Sequence, residues 1–332
     1  MKNRERFLNT LNFKKVDDRL PMVEWATWWD KTLTRWHSEG MPQEVGGDEA
    51  SDYFGLDKLR QFWIRPRGDG YPHMEHGKGP VTDLASYYRI EQYLYPTNVI
   101  EMVSEQLHSL KPLHDSGDVV VWMTLEGFFW NPRTLFGIEN HMYAFYDEPE
   151  LMHKMNDDLV EHSIYVIEEL CKILKPDFMT FAEDMSYNNG PMLSYELFRE
   201  FLLPYYLKVI PVLKKHGIIP LIDTDGQVEP MIPWLIEAGI EGVLPLERQA
   251  GVDVARIRKN YPEFKIVGAY DKMVMSQGRQ AMKAEFERLL PVMRSGGFIP
   301  SCDHQTPPGV SIENYRIYLE LMAEYCQKAV KL

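Results

Sequence analysis

The sequence predicts an α/β fold, a (β/α)8 TIM barrel with a hairpin or helical insertion in its N-terminal part. Apolar runs of strand length alternate with helical patterns, and eight such runs can be counted. Buried parallel strands have this apolar character, and the intervening helices form right-handed crossovers. The chain has 332 residues, which exceeds the roughly 250 residues of a simple barrel. We therefore expect one domain over residues 1–332 that includes an insertion.

The eight predicted strands begin near residues 20, 61, 119, 178, 218, 242, 265 and 297. β-Branched residues favour an extended chain, as in the run that follows Asp118. An open, doubly wound sheet is the alternative architecture. The chain lacks the motifs G-x-G-x-x-G and G-x-x-x-x-G-K, which that fold commonly carries after an early strand. The closed barrel is therefore favoured.

Helical patterns separate the strands and are predicted over residues 3–12, 28–38, 97–115, 148–174, 195–215, 229–238, 252–260 and 278–294. The helix at 148–174 has Pro149 in its first turn, where the missing N–H costs least. The stretch from Pro66 to Pro80 is rich in Gly and Pro. Such residues are typical of turns, so we expect a hairpin insertion there.

Composition excludes several function classes. A net charge of -13 and a pI near 5.3 argue against nucleic acid as a partner, because its binding needs a basic surface. No apolar run approaches the roughly 18 residues that a membrane span needs. Three cysteines cannot form a disulfide framework. We expect a cytoplasmic protein with a small-molecule substrate, and the sequence leaves its oligomeric state open, a homodimer included.

Acidic residues at predicted strand ends suggest an enzyme, because barrel enzymes collect their chemistry at the C-terminal ends of the strands. Glu183 and Asp184 follow one strand and Glu247 follows another, so these three are candidate acids or bases. A helix cap followed by a loop is the alternative for the first two. Glu247 and Arg248 form either a salt bridge at the rim or a substrate clamp.

Polar and aromatic residues near the same ends are candidate substrate ligands. Trp25, Trp28, Trp29 and Trp130 follow two predicted strands and can wall an apolar or cationic pocket. Their alternative role is to seal helices against the barrel. Tyr187, Asn188, Arg248 and Lys272 are the polar candidates. Lys272 either pairs with a substrate anion or lies solvated at the rim.

Four segments resemble the uroporphyrinogen decarboxylase-like superfamily. They are residues 3–21, 190–205, 223–226 (Asp-Thr-Asp-Gly) and 307–314, and they occur in the expected order over nearly the whole chain. The resemblance implies a TIM barrel. It also implies one of two activities, porphyrinogen decarboxylation or methyl transfer among corrinoid proteins, coenzyme M and folates.

The chain departs from both branches of that superfamily. The decarboxylase has an Arg-rich segment close to MRQAGRY where residues 24–31 here read EWATWWDK. The zinc methyltransferases carry His-x-Cys-Gly and a later Cys where this chain has Asp223, Asp225 and His304. Oxygen and imidazole ligands suit harder divalent ions. These residues, with Cys302 as a further candidate, are therefore predicted to hold zinc or another transition metal, while a helix cap and an Asx-turn before Gly226 are the alternative.

The leading hypothesis is a methyltransferase that moves a methyl group between a small methylated substrate, of methoxyaromatic or methylamine type, and a corrinoid or tetrahydrofolate carrier. A corrinoid protein is the expected partner. One alternative is a decarboxylase or lyase acting on a small aromatic or tetrapyrrole-like carboxylic acid. Another is a non-catalytic protein that binds a corrinoid or tetrapyrrole.

Overall fold

A computed structural model describes residues 1–331 as an α/β fold around a curled parallel sheet. The strands are β1 (Leu59–Ile64), β2 (Val120–Glu126), β3 (Phe178–Ala182), β4 (Ser186–Tyr187), β5 (Gly190–Pro191), β6 (Ile219–Thr224), β7 (Gly242–Pro245), β8 (Lys265–Tyr270) and β9 (Phe298–Cys302). Within residues 1–331 the main sheet has seven strands in the order β1-β2-β3-β6-β7-β8-β9, and every pair is parallel. Their C-terminal ends therefore meet at one edge.

Helices connect these strands and cover the outer face of the sheet. They are α1 (Asn3–Leu11), α2 (Asp30–Ser38), α3 (Gly47–Tyr53), α4 (Leu84–Ile90), α5 (Val99–Asp115), α6 (Trp130–Phe136), α7 (Ile138–Asp147), α8 (Pro149–Ile173), α9 (Tyr195–Phe201), α10 (Leu203–His216), α11 (Ile232–Glu237), α12 (Val254–Asn260), α13 (Arg279–Arg294) and α14 (Ile312–Val330). Short 3-10 helices span Glu91–Tyr93, Glu229–Met231, Arg248–Ala250 and Lys272–Gln277. No helix in residues 1–331 is both long and apolar enough to cross a membrane.

Helix α1 covers the N-terminal edge of the sheet. Phe7 and Leu11 pack into an apolar cluster on the inner face, to which every strand of the main sheet contributes. The ring of Phe7 stacks on Phe178 with centroids 5.5 Å apart. Arg4 donates to the buried carboxylate of Asp177 at 2.6 Å, just before β3. Helix α1 and the inner cluster therefore fill the interior of the sheet at its N-terminal end.

The first predicted strand, residues 19–24, is not a strand, and the structure does not confirm a closed eight-stranded barrel. This segment lies between the edge strands β1 and β9. The N–H of Asp57 donates to the Met22 carbonyl at 2.8 Å, and the N–H of Cys302 donates to the Glu24 carboxylate at 3.0 Å. Val23 joins the inner apolar cluster. Pro21 has no N–H to give to a strand ladder, and the contact with β9 uses a side chain instead.

The predicted hairpin at Pro66–Pro80 is also wrong. The backbone there makes isolated bridges, Arg67 with Leu94 and Lys78 with Gly137. The guanidinium of Arg67 binds both carboxylate oxygens of Glu126 at 2.5 and 2.6 Å, which holds the segment over the end of β2. Within residues 1–331, β4 and β5 pair as an antiparallel hairpin instead.

Most predicted helices are confirmed, with differences in detail. The helix predicted over 195–215 is broken between α9 and α10, where Pro204 occupies the first turn of α10. The segment 229–238 starts as a 3-10 turn before α11. Helices α3, α4, α6, α7 and α14 lie outside the predicted segments, and the predicted helical insertion in the N-terminal part stays a prediction.

Candidate active site

A cavity of about 320 Å³ opens at the C-terminal edge of the sheet. It is lined by Trp25, Ala26, Thr27, Gln61, Trp63, Trp130, Ala182, Glu183, Asp184, Asp223, Asp225, His304 and Gln305. These residues come from β1, β3 and β6, from the segments that follow β2, β3, β6 and β9, and from residues 25–27. Seven of the residues predicted from the sequence therefore lie around one cavity: Trp25, Trp130, Glu183, Asp184, Asp223, Asp225 and His304.

Glu183 is buried and its carboxylate is fully hydrogen-bonded. It accepts the backbone N–H groups of Phe128 and Phe129 at 2.8 Å and of Trp130 at 3.0 Å, and it also accepts the Tyr206 hydroxyl. Burial raises the pKa of Glu183 to about 7, while these donors act in the opposite direction by favouring the ionised form. Glu183 therefore holds the turn that starts α6, and so positions Trp130.

Gly127 makes this arrangement possible. A Cβ placed on Gly127 would lie 2.0 Å from the Glu183 carboxyl group, far closer than any real contact. Only a residue without a side chain lets the backbone after β2 approach the carboxylate. The turn at 127–130 is therefore built around Glu183.

Three aspartates face the cavity from the ends of β3 and β6. Burial, together with the nearby carboxyls of Asp225 and Asp184, raises the pKa of Asp223 well above its usual range. Burial and the carboxyls of Asp184 and Glu247 raise the pKa of Asp225 to about 7, although Lys272 acts in the opposite direction. Within residues 1–331 the Asp223 carboxyl makes no side-chain hydrogen bond and has no cationic neighbour that lowers its pKa. It is the least compensated carboxyl of the cavity.

Asp184 has the backbone strain that functional residues often show. Its φ of 42° is positive, a conformation that few residues other than glycine adopt without cost. The Arg133 guanidinium donates to its carbonyl at 3.1 Å. Burial raises the pKa of its carboxyl, and the charge of Arg133 opposes that rise. With this backbone conformation, the chain leaves the end of β3 and continues along the rim of the cavity.

A charged network lies behind His304. Lys272 donates to Glu247 at 2.9 Å and lies 3.6 Å from the buried carboxylate of Asp303. Asp303 also accepts the N–H groups of Arg248 at 2.9 Å and Lys272 at 3.1 Å, so it joins the turns after β7 and β8. Both Lys272 and Glu247, predicted as site residues, are therefore engaged with each other next to the cavity.

The four predicted tryptophans have different positions. The indole N–H of Trp25 donates to the Cys302 carbonyl at 2.8 Å, which fixes its ring at the cavity wall, and Arg133 lies over the ring of Trp130 at 5.2 Å. Trp29 is exposed, with its ring edge-on to His304 at 6.5 Å. Trp28 is buried in the core, where its ring packs against Trp36, Phe54 and Tyr315.

The remaining predicted residues lie at the rim or in the core. Tyr187 and Asn188 are exposed in the β4–β5 hairpin. The side chain of Arg248 donates to the Val252 carbonyl at 3.1 Å. Cys302 is buried with its sulfur 3.9 Å from that of Met275, and burial raises the pKa of its thiol well above the usual range. A neutral, buried thiol of this kind is a poor metal ligand.

Sequence reasoning missed several residues of this region, among them Gln61, Trp63 and Asp303. Gln61 and Trp63 line the cavity from β1, and Asp303 joins the strand ends. Residues 61 and 63 are alternate positions of one strand, a spacing that places both on one face. That spacing is the signal that could have found them once the strand was placed at the cavity.

The geometry of the predicted metal ligands is incomplete. His304 Nε2 and Asp225 Oδ2 are 3.8 Å apart. No group of three or more His, Cys, Asp or Glu side chains in residues 1–331 is arranged to hold a metal ion. A metal held by Asp223, Asp225 and His304 stays a prediction.

Comparisons with known proteins identify the family. A methyltransferase from Methanosarcina mazei has the same fold, with a TM-score of 0.67 at 16% identity over 98% of this chain and 99% of that chain. A B12-independent methionine synthase from Shewanella sp. W3-18-1 gives a TM-score of 0.37 at 12% identity, over 67% of this chain and 66% of that chain. A search of the curated proteins found no match. The family model of uroporphyrinogen decarboxylase (URO-D) matches residues 70–325. Since that match covers well over half of its length, this chain belongs to the uroporphyrinogen decarboxylase family.

Proposed function

We propose that this chain is a methyltransferase that moves a methyl group between a small methylated substrate, of methoxyaromatic or methylamine type, and a corrinoid or folate carrier. One observation carries the proposal. The cavity is lined by Asp184, Asp223 and Asp225 together with aromatic walls, and in residues 1–331 no Lys or Arg lines it. Such a cavity suits a neutral or cationic ligand.

Porphyrinogen decarboxylation fits this cavity poorly. Its substrate is a polycarboxylate, and packing anions against uncompensated carboxyls in a partly dry site costs several kcal/mol. The segment that holds substrate carboxylates in the decarboxylase reads EWATWWDK here. Its Glu24 is engaged with Ser301 and the N–H of Cys302. A volume of about 320 Å³ also lies at the lower end for ligand pockets, which suits a single ring or a small amine.

The methyltransferase from Methanosarcina mazei agrees with the proposal at the level of the fold. It shares the fold over nearly the full length of both chains. At 16% identity this likeness concerns the fold. A fold hosts several chemistries, and the residues at the strand ends decide between them. In this chain those residues are the aspartates and tryptophans of the cavity.

The residues of the cavity have distinct roles in the proposed reaction. Trp25, Trp63 and Trp130 enclose the substrate, and orientation of the methyl carbon toward the open edge lowers the barrier to transfer. A corrinoid or folate carrier supplies the nucleophile when it is bound. Burial and the nearby carboxyls of Asp225 and Asp184 raise the pKa of Asp223, which favours its protonated form, whereas a cation bound against this carboxyl would favour the ionised form.

The leaving group decides whether that proton is used. With an ether substrate, the C–O bond breaks as the methyl carbon bonds to the nucleophile, and the bonding pair stays on oxygen. That oxygen then takes the proton from Asp223, which becomes a carboxylate. With a quaternary ammonium substrate, the C–N bond breaks and the amine leaves with the pair as a neutral molecule. In that case Asp223 supplies charge rather than a proton.

A direct assay tests the proposal. The purified protein is incubated with a reduced corrinoid, or with tetrahydrofolate, and a panel of methoxyaromatics and methylamines. We expect a cobalt-linked spectral change or a methylated folate, with the demethylated product in equal amount. Uroporphyrinogen and small aromatic acids should release no carbon dioxide. Carbon dioxide release without any response to the carriers would contradict the proposal and favour a decarboxylase.

A further inference from the structure

The carboxyl groups around the cavity differ in how their charge is balanced. Glu247 pairs with Lys272, Asp184 is close to Arg133, and the charge of Lys272 also acts to lower the pKa of Asp225. Asp223 faces the same cavity and has no such neighbour within residues 1–331. Among these carboxyl groups, that of Asp223 therefore has no positive charge beside it.

We infer that the cavity binds its methyl donor as an organic ammonium cation, with the charge against Asp223 and the methyl groups against Trp25, Trp63 and Trp130. This inference rests on the proposed function and narrows it to one substrate class. Aromatic faces attract quaternary ammonium groups because the ring quadrupole is negative on its face, and the attraction grows when water is excluded. The combination of rings and an unpaired carboxyl at one site matches that chemistry.

The walls favour an organic cation over a metal ion. Three indole rings line the cavity, and indole rings are not metal ligands. Asp225 and His304 are 3.8 Å apart, and no third ligand completes a metal site in the described part of the chain. Tryptophan walls beside a carboxyl give an ammonium ion contact on several sides.

The charge also favours a cation over a neutral ether. An ether substrate needs at most one acid, whereas Asp184, Asp223 and Asp225 all face the cavity. The cations next to it are already engaged, because Lys272 lies between Glu247 and Asp303 and Arg133 is held at the Asp184 carbonyl and the Trp130 ring. A neutral ligand would leave the repulsion between the aspartates in place, whereas a cation relieves it.

An isosteric pair of probes tests the inference. Choline and 3,3-dimethylbutan-1-ol have nearly the same shape, but the first carries a quaternary nitrogen where the second carries carbon. Calorimetric titration of each into the purified protein should show choline binding at least tenfold more tightly. The variant Asp223→Asn should weaken choline binding at least tenfold and leave the alcohol unchanged. The control Asp115→Asn, exposed at the end of α5, should leave both unchanged.

The outcomes separate this inference from the proposed function. Equal binding of the two probes would overturn the inference, and so would choline binding that is lost on chelation and restored by Zn²⁺. Methyl transfer from a methoxyaromatic without any preference for choline would retain the proposed function and refute the cation site. A choline preference that depends on Asp223, with no methyl transfer to any carrier, would retain the cation site and refute the methyltransferase.

Discussion

Two pairs of carboxyl groups at the same edge of the sheet have opposite surroundings. At the ends of β2 and β3, Glu126 is bound by Arg67 and Glu183 accepts three backbone N–H groups and a tyrosine hydroxyl. At the end of β6, the Asp223 carboxyl has no hydrogen-bond donor in the described chain, while the Asp225 carboxyl lies 3.8 Å from His304 and is influenced by the charge of Lys272. In the half of the cavity next to β2 and β3, the acids bind neighbouring groups of the protein. In the half next to β6, the acids lack such hydrogen-bond partners.

The difference shows which acids are structural and which are available to a ligand. A carboxylate that accepts several hydrogen bonds is costly to remove, because its donors are left buried without partners. A carboxyl without partners is costly to keep, so its presence at a cavity indicates a role in binding or catalysis. Removal of one acid from each half should therefore give opposite results.

The largest expected effect comes from Glu183. Glu183→Ala should lower the free energy of unfolding by about 4 to 5 kcal/mol, since three N–H groups and the Tyr206 hydroxyl lose their acceptor. Asp223→Ala, the matched change in the other half, should alter it by less than about 1 kcal/mol because no bond is lost. Urea unfolding of both variants measures this, and similar losses would contradict the division of the cavity.

The second effect separates the tryptophans. Trp28→Ala should cost about 3 to 4 kcal/mol of stability, because Trp28 is buried against Trp36, Phe54 and Tyr315. Trp25→Ala should cost less stability but weaken binding of choline by about 1 to 3 kcal/mol. Thermal unfolding and calorimetric titration distinguish them. Weaker binding in the Trp28 variant at unchanged stability would place that ring at the cavity instead.

The third effect concerns the close approach at Gly127. Gly127→Ala should lower the free energy of unfolding by about 2 to 3 kcal/mol, because its Cβ would lie 2.0 Å from the Glu183 carboxyl group. Gly309→Ala is the matched control, since a Cβ there meets no atom within 4 Å. Urea unfolding of the two variants compares them. Equal stability of the two would mean that the turn at 127–130 is not built around Glu183.

The smallest effect is a pH dependence due to Asp225. Its folded pKa of about 7 lies above the unfolded value of 3.8, so the folded state binds the proton more tightly. The stability it contributes is complete below about pH 4 and is lost as the pH rises through about 7. Because this carboxyl is partly in solvent, we expect only about 1 kcal/mol. Unfolding from pH 4 to 8 should show a flatter curve for Asp225→Asn, and identical curves would contradict the raised pKa.

The sequence predicted the repeating part of the fold well. The strands of the main sheet are apolar runs that alternate with helical patterns, and this alternation can be recognised in the sequence. Within residues 1–331, seven of the eight predicted strands belong to the main sheet. The strand predicted around Pro21 was wrong because the Glu24 side chain and isolated backbone hydrogen bonds hold this segment. Such contacts produce no periodic pattern in the sequence. The hairpin predicted for the Gly/Pro-rich stretch after Pro66 was wrong for a related reason. The ion pair between Arg67 and Glu126 holds this stretch in place, and no pairing of two strands is involved.

For the candidate site, the sequence indicated where acids occur but not which are free. Glu183 and Asp223 both end apolar runs and look alike. Their difference comes from the N–H groups of Phe128, Phe129 and Trp130, which are more than 50 residues from Glu183 along the chain. Trp28 differs from Trp25 in the same way, by tertiary packing alone. Such contacts depend on the folded arrangement and leave no local pattern.

The central claim is that Asp223 is the functional carboxyl of the cavity, and the methyl-transfer rate of one variant tests it most directly. With the substrate that the panel identifies, Asp223→Asn should lower kcat/KM by about 100-fold or more, whether the carboxyl acts through its proton or its charge. Its free energy of unfolding should stay within about 1 kcal/mol of the original. A variant that is equally stable and transfers methyl groups at the original rate would contradict the account.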